Sequence, residues 1–341
     1  MKLLILLLPA LFLTVNGCLR IRRPVKCSPT DPSTFLLAYS NDLDYSHVKG
    51  IYRGWGEQFS VSIIEYAVAA TVRFDTKIRE DVVFHDSDTF GHSEITAYAY
   101  MNEQQVDPSQ RFDSSETGSD VLDMLERYID TNRPNICGSV ALILMKRSPN
   151  EVEISKLVEK IRAYHILLTI AVQNPFSGGL HPETMYNLAA RTNGKCSIST
   201  YLSDAFSVLA NIIFPYAYHS SSLKVSGTGK VVLPSITIPQ QMMFILGVSV
   251  QSTVTSESFQ NLTLSWSNSE FGTSGSFIRN RGQLSSTYSS MNSFMDWDFL
   301  YNAAPSTYDL TLDYSYSMED IILIRMYSKR PIDHWLPYQD V

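Results

Sequence analysis

The 341-residue chain has only four cysteines and four tryptophans, no basic run and, past its first residues, no long apolar stretch. Each shortage excludes something. A net charge of −7, spread along the chain with no long basic run, lacks the footprint of a nucleic-acid binder. No segment after the first seventeen residues reaches membrane-spanning length, which excludes stable membrane insertion of the remainder. No Gly-x-Ser-x-Gly elbow occurs, and the seven histidines form no His-x-x-x-His pair. The cysteine spacings match no zinc site, and no motif implies a cofactor. What is there is globular in kind, 44% hydrophobic and 18% charged, and long enough for two ordinary domains.

Residues 1–17 read as a signal peptide: Lys2 leads, Leu3 to Val15 is apolar, and Val15-Asn16-Gly17 offers cleavage positions. As a helix this apolar run would rise only ~20 Å, against ~30 Å of hydrocarbon, so cleavage is favoured over anchoring. Without Lys2 the mature chain has 26 basic and 34 acidic residues, a net charge of −8. Cys18, Cys27, Cys137 and Cys196 remain, an even number that suggests two disulfides with three possible connectivities. Asn261-Leu262-Thr263 is a glycosylation sequon that suits an extracellular surface. The predicted location is therefore secreted.

Residues 18–32 form a linker. From 33 to 215 short apolar runs alternate with helical patterns, the signature of a parallel sheet covered by helices. Strands are predicted at Thr34 to Tyr39, Tyr66 to Phe74, Val82 to His85, Ser139 to Met145 and Ile166 to Val172. Helical spacing appears in Val121, Leu122, Leu125 and Ile129, in Ile154, Leu157, Val158 and Ile161, over Pro182 to Thr192, and over Leu202 to Phe214. Residues 220–341 change texture to short alternating strands rich in Ser, Thr and Tyr, which predicts a β-sandwich.

The element order of residues 33–215 resembles a von Willebrand factor A domain, with Thr34-Phe-Leu-Leu as its opening strand, Ala69 to Asp75 its second and Val140 to Met145 its fourth. The resemblance implies an α/β, doubly wound, mostly parallel sheet followed by an all-β sandwich. The tail resembles the CUB-like sandwich that follows such a domain in some secreted nematode proteins. In the A-type fold Cys137 and Cys196 begin strands on one edge of the sheet. The resemblance therefore implies Cys137–Cys196, leaving Cys18 with Cys27.

Members that bind a divalent cation do so through Asp-x-Ser-x-Ser after the opening strand, a threonine from a middle loop and an aspartate after the fourth strand. Here Ala38 stands at the first aspartate, Ser40 at a serine and Asp42 at the second serine. Ser115, in Ser115-Glu116-Thr117-Gly118, takes the threonine's place and Arg147 that of the last aspartate. Such a site is degenerate, and no metal is expected. Arg147 is read first as a solvated arginine after a strand; the rival reading is a guanidinium that replaces the cation and pairs with Asp42 or with a partner's carboxylate. Thr117 and His181, the latter after Pro175-Phe-Ser-Gly-Gly, complete the candidate binding loops.

Asp81, His85, Asp86 and Asp88 place four possible ligands within eight residues, but the spacing fits no calcium or zinc pattern. Ser226-Gly-Thr-Gly-Lys230 lacks the first glycine and final Ser or Thr of a phosphate loop. The expected function is a non-enzymatic extracellular binding or adhesion protein whose partner is a protein or glycan. The alternative is a sugar-binding or host-defence protein that recognises its ligand through the sandwich, with Trp266, Trp297 or Trp335 stacking on sugars.

Overall fold

The computed structural model describes residues 27–51, 66–86, 100, 103–202, 214–284, 291–296, 299–300 and 304–341. The signal peptide, Cys18, Asp88, Trp297 and most of the helix expected over Leu202 to Phe214 lie outside these residues.

The first sheet contains β1 (Thr34–Ser40), β2 (Val68–Phe74), β3 (Val83–His85), β4 (Val140–Met145), β5 (Leu167–Gln173) and β6 (Lys195–Ser199). Their order is β3-β2-β1-β4-β5-β6, with parallel neighbours except for the antiparallel edge pair β2/β3. Near-continuous apolar runs put both faces of the central strands inside. Leu36, Ala38, Val72 and Ile143 point to one face, and Phe35, Leu37, Leu142 and Leu144 to the other. Helices α1 (Val121–Asp130), α2 (Ser155–Ala163) and α3 (Glu183–Arg191) all pack on the first face, burying stripes such as Val121, Met124, Leu125 and Tyr128. The second face is covered by Val48 and Ile51 of helical residues 45–51, with Leu43, Tyr66 and Leu202.

This arrangement corrects the expected fold class. Helix accounts for only 17% of a mostly β structure, the first sheet is mixed, and the second is a single curled antiparallel sheet. Among the described residues helices flank only the first sheet, α1, α2 and α3 on one face and residues 45–51 on the other, and its edge strand β3 runs antiparallel. The von Willebrand A-like, doubly wound reading is therefore set aside.

The sandwich expected after residue 220 is also replaced. The second sheet contains β7 (Tyr216–Ile238), β8 (Phe244–Ser249), β9 (Phe259–Asn268), β10 (Thr273–Asn280), β11 (Ser293–Asp296) and β12 (Ser306–Ser328). Strands β7 and β12 each run 23 residues, far beyond the usual 3–10. They pair with one another along their length, while the opposite edge of β12 pairs first with β9 over 309–316 and then with β8 over 323–328. A register shift between Tyr316 and Asp320 marks the changeover. Such irregularities bend and twist a ladder, so one sheet folds over its own core of Phe244, Leu246, Leu264, Leu310 and Leu312. In sequence the same shift breaks the alternation, which makes one long strand read as two short ones.

The two sheets meet along β6. The Ser249 hydroxyl donates to the Cys196 carbonyl (3.0 Å), the Ile198 amide to the Asn292 side chain (2.8 Å), and Ser197 and Ser293 share a hydrogen bond of 2.9 Å. Tyr186 of α3 donates toward Ser249 O and Ile321 O of the second sheet (3.1 and 2.6 Å). Arg325, wholly buried on β12, donates to Gly194 O (2.8 Å), Ser221 O (2.6 Å) and the Ser222 hydroxyl (2.8 Å).

Residues 331–341 form a strap without regular structure across the foot of the first sheet. Trp335 stacks on His165 with ring centroids 4.3 Å apart. Arg162 donates to Gln339 O (2.9 Å) and pairs with Asp340, while Asn193 donates to Pro337 O (3.2 Å). Trp335 also donates to Cys27 O (3.3 Å), and Cys27 is bonded to Cys137 with Cα atoms 5.6 Å apart. The Cys137–Cys196 and Cys18–Cys27 pairings are thus corrected. Cys196 is a free, wholly buried thiol on β6, and Cys137 instead sits where the start of the described chain crosses the foot of the sheet.

Candidate functional site

The parallel strands of the first sheet end together, and four loops meet there: those after β1 and β4, the loop before α1, and the loop between β5 and α3. Arg147, two residues past β4, is 3% exposed. Its Nε donates to Asp42 Oδ2 at 2.7 Å, and its Nη1 to the carbonyls of Ser114 (2.9 Å) and Thr117 (2.6 Å). The guanidinium lies over Phe112, 5.3 Å from the ring centroid. The solvated reading of Arg147 is corrected: the charge is buried and paired, as the rival reading had it.

Asp42 also accepts from the Ser177 hydroxyl at 2.5 Å. Backbone bonds close the remaining gaps, from Ser148 N to Gly178 O (2.8 Å), Gly179 N to Ser115 O (2.9 Å) and Ser119 N to Ser148 O (2.8 Å). Two glycines permit this closeness. A side chain at Gly178 would run into the Arg147 guanidinium, and one at Gly179, whose φ is +84°, would meet Ser148 O.

A second polar knot lies beside the first. Ser40, the last residue of β1, donates to Asp75 Oδ2 at 2.5 Å. Asp75 N donates to Asp120 Oδ1 (2.7 Å) and Asp120 N to Asp75 Oδ1 (3.2 Å), so each carboxylate caps the other's backbone. Asp75 has φ +60°, a conformation that Asp tolerates better than most residues. Burial pushes its carboxyl up to about 7, with the charges of Asp120 and Asp42 acting in the same direction and the hydroxyls of Ser119 and Ser40 opposing.

The structure therefore gathers Ser40, Asp42 and Arg147 with the carbonyls of the 114–117 loop. Ser115 and Thr117 contribute backbone oxygens and keep exposed side chains. Ala38 lies deeper in β1, fully buried between Val72 and Ile143. His181 stands apart at the start of α3, its Nδ1 3.1 Å from Glu183 Oε1. Asp75, Asp120, Ser177 and Phe112 escaped sequence reasoning, although the Gly178-Gly179 pair signalled a close backbone approach. These residues do not fit a divalent cation. Oδ2 of Asp42 is held by Arg147 and Ser177, and a fixed positive charge sits 2.7 Å from it.

On the second sheet, Trp266 packs against Phe299 (centroids 4.5 Å) at the margin of the core, and Trp335 of the strap stacks on His165. Asn261 is exposed on β9. Among the described residues, no helix is long and apolar enough to cross a membrane.

Residues 221–329 match a family described as a domain of unknown function (DUF7154). This match spans most of the second sheet and less than half of the chain. No curated protein matches the sequence. Among solved structures, proximal thread matrix protein 1 from the mussel byssus is 12% identical with a TM-score of 0.38, over 60% of this chain and 51% of that one. The human COPII-coat protein Sec24c is 8% identical with a TM-score of 0.34, over 88% of this chain and 44% of that one. A family 16 carbohydrate-binding module is 12% identical with a TM-score of 0.18, over 33% and 74%. The chain thus spans about half the length of the first of these. Likenesses this distant carry no argument about function, and none shows a von Willebrand A domain.

Proposed function

We propose that the chain is a secreted, non-enzymatic binding protein that engages an extracellular protein through the loop rim at the carboxyl ends of β1, β4 and β5. The observation that carries this reading is the buried Arg147–Asp42 pair, which ties four loops into one fixed rim. Beside it the rim holds Leu180 and Val152 in solvent, 63% and 62% exposed. The Leu180 amide is tied to Asn150 (3.0 Å) and the Glu151 carbonyl to Thr184 (2.8 Å), so these apolar side chains are presented on ordered backbone. Pre-ordering lowers the entropic cost of association, and the crevice at the carboxyl ends of parallel strands is where open sheets take ligands. The Cys27–Cys137 disulfide suits an oxidising compartment.

The test is retention of the whole chain on a panel of immobilised extracellular-matrix proteins, in chelator so that no cation bridges the two. At least one matrix protein should retain the chain, and Leu180→Asp with Val152→Asp should abolish retention without shifting Tm. Retention unchanged in that variant, or no retention by any panel member, would refute the reading.

A further inference from the structure

The outward face of the second sheet is divided. Where β7 lies beside β12, side chains satisfy one another: Ser235 donates to Asp309 (2.8 Å), Thr237 bonds Thr307 (3.0 Å), Lys230 pairs with Asp313 (3.1 Å) and Thr228 bonds Ser315 (3.3 Å). Across β12, β9 and β10 the pattern stops. The ladder there aligns Asp309 with Ser267 and Ser274 in one row, and Thr311 with Ser265 and Ser276 in the next. These residues line an open cleft of about 390 Å³. Among the described residues none of the five hydroxyls forms a side-chain hydrogen bond, and Asp309 has no ion pair and accepts only from Ser235.

We propose that this cleft binds amino sugars, that is, saccharides carrying a free ammonium group. Five hydroxyls that can each donate and accept ask for a ligand dense in groups that do both, which sugar hydroxyls supply. Adjacent rows lie ~6.8 Å apart along a strand and neighbouring strands ~4.8 Å apart, a grid that an extended saccharide can follow. Asp309, the carboxylate among the cleft's described residues, has no cationic partner and sets the charge: an ammonium complements it, whereas an acidic sugar is repelled. Trp266 and Gly275 also line the cleft, but the Trp266 ring packs edge-on against Phe299, so selectivity rests on the hydroxyls and the charge of Asp309. This inference goes beyond the rim reading and uses the other sheet.

The experiment is calorimetric titration of the whole chain with three probes: a glucosamine hexamer, its N-acetylated form and cellohexaose. An Asn261→Gln background is used, because that sequon lies on the same face, four residues along β9 from Ser265. The glucosamine hexamer should bind at least tenfold more tightly than the other two, and more weakly as salt is raised. Asp309→Asn should lower its affinity at least tenfold and remove the preference. Ser265→Val with Ser276→Val should abolish binding while Tm is kept, since valine suits a strand. Leu180→Asp on the rim should change nothing here, which separates failure of the two readings. Equal binding of the three probes, no binding of any, or full binding by the Ser265→Val, Ser276→Val protein would each overturn the proposal.

Discussion

Among the described residues the two most deeply buried arginines, Arg147 and Arg325, are held in opposite ways. Arg147, at the top of the first sheet, is neutralised by a carboxylate, Asp42. Arg325, between the sheets, faces carbonyls at the end of α3 and on β7, and none of its hydrogen bonds goes to a carboxylate. The negative end of a helix dipole favours a cation there. Burial lowers the Arg325 guanidinium to about 10, which leaves it charged at neutral pH. A buried charge can thus be satisfied by another charge or by oriented dipoles. The first solution ties loops to one another, and the second ties two sheets together.

The largest expected effect is at the joint. Arg325→Met removes the guanidinium donors of Gly194 O and Ser221 O in the interior, at ~1–3 kcal/mol each, and the bond to the Ser222 hydroxyl. Chemical denaturation should show a loss of about 4 kcal/mol or more and a broadened transition as the sheets uncouple. A loss below 1 kcal/mol would mean that Arg325 does not couple the sheets.

Arg147→Met should cost somewhat less, ~3–5 kcal/mol, because Asp42 is left buried and unpaired. Pairing Arg147→Met with Asp42→Leu should recover most of the loss. If the double variant is as unstable as the single, the attribution to charge pairing fails.

The two regions should also respond oppositely to pH. Asp75, near Arg147, has its folded pKa raised to about 7, above the unfolded ~3.9. The folded state then binds the proton more tightly. That contribution is complete below pH ~4 and is lost as pH rises through about 7. His219 lies close enough to Arg325 to feel its charge. Burial first, and that charge second, lower its pKa to about 4. Its contribution is complete above the unfolded ~6.5 and is lost as pH falls toward about 4. Between pH ~4 and ~7, Asp75→Asn should therefore remove a loss of Tm with rising pH, and His219→Gln a gain of Tm with rising pH; the reverse assignment would break the comparison.

The smallest effect is none. Millimolar magnesium, manganese or calcium should leave Tm unchanged, because a cation at a hundredfold excess over its Kd would add ~2.7 kcal/mol. A shift abolished by chelator would reopen the metal question at Asp42.

Strand positions were legible from apolar runs: Thr34 to Tyr39 and Val140 to Met145 fall on β1 and β4 almost residue for residue. What escaped was long-range. The bend near residues 316–320 disguised β12 as two strands, and nothing local marks Arg325, in the apolar run Ile321 to Tyr327, as a link to α3. At the site, Asp42 and Arg147 were visible as departures from a pattern, but their contact spans 105 positions and depends on how four loops close. The disulfide was misassigned for a related reason. The edge argument compared strand starts, whereas Cys27 lies ahead of β1 and reaches Cys137 by crossing beneath the sheet.

The strap of residues 331–341 has a consequence for the order of events on the ribosome. The first sheet is encoded by residues 34–199, yet its foot is sealed by Trp335, Tyr338 and Gln339, and its β6 edge by Ser249, Asn292 and Ser293. Emerging amino-terminal segments can pair their strands but stay open at one edge and at the base until more than a hundred further residues have been made. The nascent chain therefore passes through a prolonged stage in which a hydrophobic sheet waits for its cover, and this is the stage at which chaperones would be engaged.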